Sequence, residues 1–315
     1  MIDRTEPRFR YFIRQLFPEI SLYTEMISSG AIIHGPRARF LSLLPCEPPI
    51  ALQIGTHCPE EAYQAVTLAR EFCDRQNCHF TEYNLNAGCP SDRVQNRNIG
   101  AILMNDAPLV ADILAAMRQA LRDSQNSADT LPQVTLKHRL GIQGRGIEMT
   151  GAEPLYSFLR QVAPYTDRLI IHARIAILEG LDPKQNREIP PLNYPLVFAI
   201  RQMLDRPIEL NGGLRNFAQI AEAWPHVDGV MLGRVSYEDT WELFRIRRQV
   251  LANGWLTARN SGVRNRSELA GLYADYLEQH PGSQSMSAQI WPLLMLWHGL
   301  PEARHWRRML SPPYS

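Results

Sequence analysis

Short runs of apolar and β-branched residues alternate along the chain with longer stretches in which apolar positions recur every three or four residues. The short runs are Leu22–Met26, Ile50–Gly55, Glu82–Ala87, Val134–Leu140, Arg168–Ala173, Pro207–Asn211 and Gly229–Gly233. Their near-continuous apolar character predicts strands buried on both faces. Helical spacing covers Glu60–Arg75, Leu109–Arg122, Glu153–Val162, Pro195–Leu204, Phe217–Trp224 and Tyr237–Ala252. Strand and helix in alternation imply a parallel sheet with helices on its faces. Seven such units are one strand short of an α/β TIM (β/α)8 barrel, whose usual length is about 250 residues. A doubly wound sheet is the rival, but no GxGxxG turn follows a first strand. The absent strand is the first. Met1–Thr5 leads almost directly into an amphipathic stretch, Arg8–Phe17, which in a barrel would follow strand one.

Past about Gly254 the alternation stops. Asn260–Arg266 is polar and loop-like, and helical stretches follow at Ser267–Glu278, Ser287–His298 and around Glu302–Leu310. The expected division is a barrel over residues 1–254 and a small helical domain over residues 255–315.

Composition narrows the class only a little. With 45% apolar and 21% charged residues the chain is an ordinary globular protein. No apolar run approaches the roughly 20 residues of a membrane span, and no basic-then-apolar leader opens the chain. A cytoplasmic protein is expected. The five cysteines, Cys46, Cys58, Cys73, Cys78 and Cys89, are odd in number and lack CxxC pairs, so they read as reduced thiols and no metal site is expected. The net charge of +1 leaves nucleic acid open as a partner, because such binding needs a local basic patch and not a large total.

Barrel enzymes carry their chemistry at the C-terminal ends of the strands. Those ends hold Gln53 and Gly55; Asn84, Asn86 and Cys89; Lys137, His138 and Arg139; His172 and Arg174; Asn211, Gly212 and Gly213; and Gly233 with Arg234. The glycines after the last two strands let backbone N–H groups approach an anion, with helix N-termini adding positive potential. The alternative is a pair of tight turns that need glycine. Lys137 in a strand otherwise rich in Val, Thr and Leu suits an anion or an electron-rich ring; an outward-facing lysine is the other reading. His172 is either a satisfied core histidine or, with Arg174, part of a polar site. Cys89 is either a buried structural thiol or, on a loop after a glycine, a nucleophile or proton donor at the barrel mouth.

"NLNAGCPSDRVQN" (Asn84–Asn96) closely resembles the active-site motif of tRNA-dihydrouridine synthases. The surrounding text resembles the A subfamily, which modifies positions 20 and 20a of the tRNA D-loop. "LYTEMISSGAIIHG" (Leu22–Gly35), "ALQIG" (Ala51–Gly55), "VTLKHRLGI" (Val134–Ile142), "LIIHAR" (Leu169–Arg174), "GLDPKQNREIPPLNYP" (Gly180–Pro195), "NGG" (Asn211–Gly213), "DGVMLGR" (Asp228–Arg234) and "GLPEARHWRRML" (Gly299–Leu310) stand in family order. The resemblance spans essentially the whole chain. The cysteine motif and "PKQNREIPPL" are the specific parts.

The resemblance implies an FMN-binding barrel with a helical tRNA-binding domain, and reduction of uridine to 5,6-dihydrouridine with NADPH as electron source. Reduced FMN would pass a hydride to C6, and Cys89 would protonate C5. Thiols ionise at a pH of about 8.5, so one serves as such an acid if it is exposed. Met1, Gln53, Lys137, His172, Asn211, Gly212, Gly213, Gly233 and Arg234 match the family's cofactor positions. Asn86 matches a residue that reads the uracil edge. Arg174, Lys184, Arg187, Arg304, Arg307 and Arg308 are the candidate tRNA contacts, with solvated surface charge as the alternative.

Several positions depart from the family pattern. Met1 falls where the family's first strand ends in Ala-Pro-Met, so that strand is missing, which points to a misplaced start codon or a decayed paralogue. Ile175 replaces a lysine, Arg97 a glycine and Ala87 a valine, Gln143–Met149 is a poor match to an acidic turn-like loop, and the final helix is cut short. Two other functions therefore stand beside the first: a catalytically impaired tRNA-binding paralogue, and another FMN barrel such as a dihydropyrimidine or dihydroorotate dehydrogenase.

Overall fold

A computed structural model describes residues 4–124, 130–259, 263–281 and 286–310. All seven expected strands form: β1 (Leu22–Ser28), β2 (Ile50–Gly55), β3 (Glu82–Ala87), β4 (Gln133–Arg139), β5 (Arg168–His172), β6 (Ile208–Asn211) and β7 (Gly229–Met231). They pair in parallel, each beside its predecessor, in a single seven-stranded sheet. A helix follows each strand and returns the chain to its start, as parallel neighbours require. Every position of β2 and β3 is buried, because helices cover one face and the barrel interior fills the other. Among the described residues β1 and β7 do not pair with each other, so the barrel is open between them.

The interior floor of the barrel is ionic. Arg168 on β5 pairs with Glu82 on β3 and, at 2.9 Å, with Glu209 on β6, and it donates to Gln133 Oε1 at 2.8 Å on β4. Tyr23 on β1 donates its hydroxyl to Glu82 at 2.6 Å. Side chains from β1 and β6 therefore meet around one guanidinium, which requires the sheet to curl. Burial alone would lower the Arg168 pKa, but the Glu82 and Glu209 carboxylates outweigh it and the net shift is upward.

The N-terminal helix Pro7–Leu16 joins the barrel to the C-terminal helices. Phe12 packs edge-on against Tyr273 at 5.1 Å, Tyr11 stacks on Tyr276 at 4.0 Å and Phe9 stacks on Trp291 at 5.2 Å. Arg14 donates to four backbone carbonyls, those of Pro18, Ile20, Glu47 and Pro49.

The structure departs from the expected elements in three places. The single helix expected over Tyr237–Ala252 is two, Val235–Glu238 and Thr240–Ala252, because Asp239 adopts φ −141° and ψ 74° between them. Gln143–Met149 lies in a hairpin, Ile142–Gly144 against Ile147–Met149, whose turn places Gly144, Arg145 and Gly146 at positive φ. Ala176–Ile177 adds to that hairpin in parallel. The helices Ser29–His34 and Arg37–Leu41 are also unforeseen; they are too short to show a period.

Removing Arg168 leaves the buried Glu82 carboxylate and the half-buried Glu209 carboxylate without their shared cation. Arg168→Ala is expected to lower the unfolding free energy by about 3–5 kcal/mol in urea titrations. A loss below about 1 kcal/mol, the value of an exposed pair, would show that the floor does not brace the barrel.

Candidate active site

The C-terminal ends of the strands open on a cavity of about 790 Å³. Tyr23 and Met26 from β1, Gln53 from β2, Asn86 from β3, Lys137 from β4, His172 from β5, Asn211 from β6 and Met231 from β7 all line it. All seven strands therefore face one mouth.

Cys89 stands half-buried on the wall of this cavity. Its backbone is held on both sides. The N–H groups of Gly88 and Cys89 donate to Asn86 Oδ1 at 3.0 Å each, and the Cys89 carbonyl accepts from Ala101 N–H at 2.9 Å. Arg139 donates to the Gly88 carbonyl at 3.1 Å and ties it to those of Ile175 (3.1 Å) and Asn186 (2.9 Å). Gly100, at φ 80°, passes so close that a Cβ there would lie 2.6 Å from the Cys89 carbonyl oxygen. Any side chain at this position would displace the cysteine loop.

The charge at the mouth is one-sided. Arg4, Arg93, Arg97, Lys137, Arg139, Arg187, Arg215 and Arg234 line the cavity, and no aspartate or glutamate does among the described residues. Burial, then the Arg139 charge, pushes the Lys137 ammonium down to about 8. Burial also pushes His172 well below the usual imidazole value, with Arg139 and Lys137 adding to the shift. The ring is therefore neutral. Lys137 donates no hydrogen bond among the described residues, and His172 Nδ1 and Arg174 Nη1 are buried without a partner.

Opposite Cys89, Gly212 and Gly213 take φ 104° and 80°. A Cβ on Gly212 would lie 3.2 Å from His172 Nε2, and one on Gly213 would lie 2.5 Å from Leu192 Cδ1. Asn211 Nδ2 donates to the Met231 carbonyl at 2.8 Å, which ties this turn to β7. Gly233 and Arg234 complete the same wall, with Arg234 bonded to Glu188 at 3.0 Å and to the Arg187 carbonyl at 3.3 Å.

The structure brings together Gln53, Asn86, Cys89, Lys137, His172, Arg187, Asn211, Gly212, Gly213, Gly233 and Arg234. Arg174 sits just behind the lining, donating to the Pro190 carbonyl at 2.6 Å. Lys184 is exposed beside the mouth; Arg304, Arg307 and Arg308 are exposed on the helix Ala303–Leu310. Arg307 lines a second cavity of about 840 Å³, which shares Arg4, Arg215 and Tyr237 with the first. Met1 lies outside the described residues. Arg4, Arg93, Arg139 and Arg215 were not among the expected site residues. Arg139, beside Lys137 at a strand end, and Arg93, inside the cysteine motif, carried a usable sequence signal.

The family model for dihydrouridine synthase (Dus) matches residues 1–312. The chain belongs to the dihydrouridine synthase family. The tRNA-dihydrouridine(20/20a) synthase of Synechocystis sp. is 39% identical over 316 residues, which cover 99% of this chain and 86% of the relative. The protein of that name from Pseudomonas aeruginosa is 39% identical over 314 residues, with 99% and 87% covered. Among solved structures, 6-hydroxypseudooxynicotine amine oxidase from Pseudomonas geniculata superposes with a TM-score of 0.53 at 11% identity, over 80% of this chain and 44% of that one. Histamine dehydrogenase from a Rhizobium species gives 0.51 at 12%, over 79% and 44%. These two likenesses concern the fold alone. Family membership sets aside a dihydropyrimidine or dihydroorotate dehydrogenase.

Only a neutral amine attacks an acylating reagent, so a depressed pKa brings reactivity to lower pH. Acetylation of Lys137 in the ligand-free protein, followed by peptide mass spectrometry, is expected to reach half its maximal rate near pH 8. A midpoint at the ordinary lysine value of about 10.4 would mean that the site does not depress this amine.

Proposed function

We propose that this protein is a flavin-dependent tRNA-dihydrouridine synthase, which reduces uridine to 5,6-dihydrouridine at positions 20 and 20a of the D-loop, with FMN as its flavin and NADPH as electron donor. The observation that carries this reading is a half-buried thiol on the wall of a strand-end cavity lined, among the described residues, by eight cations and no acid. Such a mouth suits a polyanion that delivers one base to the interior.

The residues present suit a flavin mononucleotide. Among the described residues Lys137 donates no hydrogen bond and His172 Nδ1 has no partner, and the Gly212–Gly213 turn leaves space that any Cβ would fill. Gln53, Lys137 and His172 would hold the ring, and Asn211, Gly212, Gly213, Gly233 and Arg234 the phosphate end. When bound and reduced, FMN supplies a hydride to C6 of the uracil. Lys137 favours an anionic ligand while it is protonated. Its affinity contribution is therefore fully present well below pH 8 and falls as pH rises from that value toward the higher pKa the amine takes beside a bound anion.

Cys89 provides the proton that C5 requires, and solvent returns a proton to the thiolate. Asn86 sets the thiol's position through the loop backbone and faces the base. Arg174 steadies the wall behind the base by holding the Pro190 carbonyl. Lys184 and Arg187 beside the mouth, and Arg304, Arg307 and Arg308 on the last described helix, take tRNA phosphates.

Incubation with FMN, NADPH and an unmodified tRNA transcript is expected to add two hydrogens at uridine 20 or 20a, as read by mass spectrometry. Absence of the product would contradict the reading. Cys89→Ala is expected to bind FMN as the parent does and to lower dihydrouridine formation by about a hundredfold or more; undiminished product would remove Cys89 from the chemistry. Replacing Arg304 and Arg307 with alanine together is expected to lower the slope of log K for tRNA against log salt by about 1–2. An unchanged slope would make both arginines solvated surface charge.

A further inference from the structure

A directed line of hydrogen bonds runs through the barrel interior, from the ionic floor to the cysteine loop. At the loop end, the Gly88 and Cys89 N–H groups donate to Asn86 Oδ1 at 3.0 Å. Asn86 Nδ2 donates to Gln53 Oε1 at 2.8 Å, and Gln53 Nε2 donates to Asn84 Oδ1 at 2.8 Å. Asn84 Nδ2 donates to Thr135 Oγ1 at 2.7 Å, and the Thr135 hydroxyl donates to the Glu82 carboxylate. Glu82, Gln53, Asn84, Asn86 and Thr135 are all buried.

The oxygen and nitrogen of an amide have nearly the same shape, so the ends of such a chain set its direction. Both ends agree here. A backbone N–H can only donate. The Glu82 carboxylate, paired with Arg168 and receiving the Tyr23 hydroxyl, can only accept. Every amide between them is thereby oriented. Turning any one round would set donor against donor, or acceptor against acceptor, in a buried site, and each unsatisfied group there costs about 1–3 kcal/mol.

One consequence reaches the cavity. Both lone pairs of Asn86 Oδ1 are taken by the loop, and one Nδ2 hydrogen is taken by Gln53. The valence left to Asn86 is the second Nδ2 hydrogen, so it can offer a ligand only a donor. A donor suits the carbonyl edge of uracil and opposes the exocyclic amino group that cytosine carries in its place.

We propose that Glu82 and Thr135 are positioning residues, which through the Asn84–Gln53–Asn86 relay hold the Cys89 loop in place and fix Asn86 as a donor to a pyrimidine carbonyl. The pyrimidine rests on the function proposed above; the relay does not.

The test is Thr135→Val, which removes the hydroxyl at nearly constant volume, with Thr135→Ser as the conservative control. The first readout is the rate of Cys89 alkylation by iodoacetamide at fixed pH, measured by peptide mass spectrometry on the folded protein. The valine variant is expected to change that rate by about tenfold, the effect of one lost buried hydrogen bond, and the serine variant to restore it. The second readout is turnover on tRNA at saturating FMN, where the valine variant is expected to lower kcat with the tRNA KM unchanged. Parental alkylation and kcat in Thr135→Val would overturn the relay. So would failure of Thr135→Ser to restore them, which would mark the effect as packing damage. Should Thr135→Val not fold, Asn84→Asp breaks the same Asn84–Thr135 link from its donor side and is read in the same two ways. If the parent makes no dihydrouridine while alkylation still responds to Thr135, the proposed function fails and the relay stands. If the parent makes it and Thr135→Val matches the parent throughout, the relay fails and the function stands.

Discussion

The interior ion cluster at Arg168 is the constraint on which the barrel depends. A parallel sheet of seven strands could lie open and merely twist, with β1 far from β6. Here the guanidinium of β5 gathers groups from β3, β4 and β6, and the Tyr23 hydroxyl of β1 closes on the same carboxylate. Charges buried this deeply persist only when paired, so the curl of the sheet and the pairing of the floor are one condition. Once the sheet is curled, its C-terminal ends converge, and residues dozens to hundreds of positions apart line one cavity.

The same economy of charge explains the mouth. The chain as a whole is nearly neutral, at +1. Its acids are drawn into pairs elsewhere: Glu19 with Arg247 at 2.8 Å, Asp167 with Arg118 at 2.9 Å, Glu47 with Arg10 at 3.2 Å. Among the described residues the cations around the strand ends pair with acids only at the rim, Arg234 with Glu188 at 3.0 Å and Arg215 with Glu238 at 2.8 Å. Arg139 is the extreme case. It is buried, its guanidinium is spent on backbone carbonyls of three loops, and burial lowers its pKa to about 10. It thus builds the cysteine loop while leaving its charge to the cavity.

The strands were legible because each is a short, near-continuous apolar run between breakers. β2 and β3 match their expected limits, and the others differ by one or two residues. The site was legible in part because barrel chemistry gathers at strand ends, so Lys137, His172 and the glycine turn could be named from position alone. What escaped the sequence depends on the third dimension. Arg4 and Arg215 come from separate segments, and nothing local marks them as neighbours of the cysteine motif that holds Arg93. Of the polar residues inside the strands, Glu82 and Thr135 carried no signal in the sequence, and Asn84 was expected only as a strand-end residue. All three are the inward-facing halves of an alternating pattern, with Tyr83 and Leu85 turned into the hydrophobic core. The break at Asp239 was hidden because helical spacing continues through it.

The measurement that bears most directly on this account is the visible absorption spectrum of the purified protein after incubation with FMN and desalting. The account predicts retained flavin bands at about one FMN per chain, because the cavity offers unpartnered Lys137 and His172 groups and an open glycine cradle. A protein that emerges colourless at every FMN concentration would contradict it.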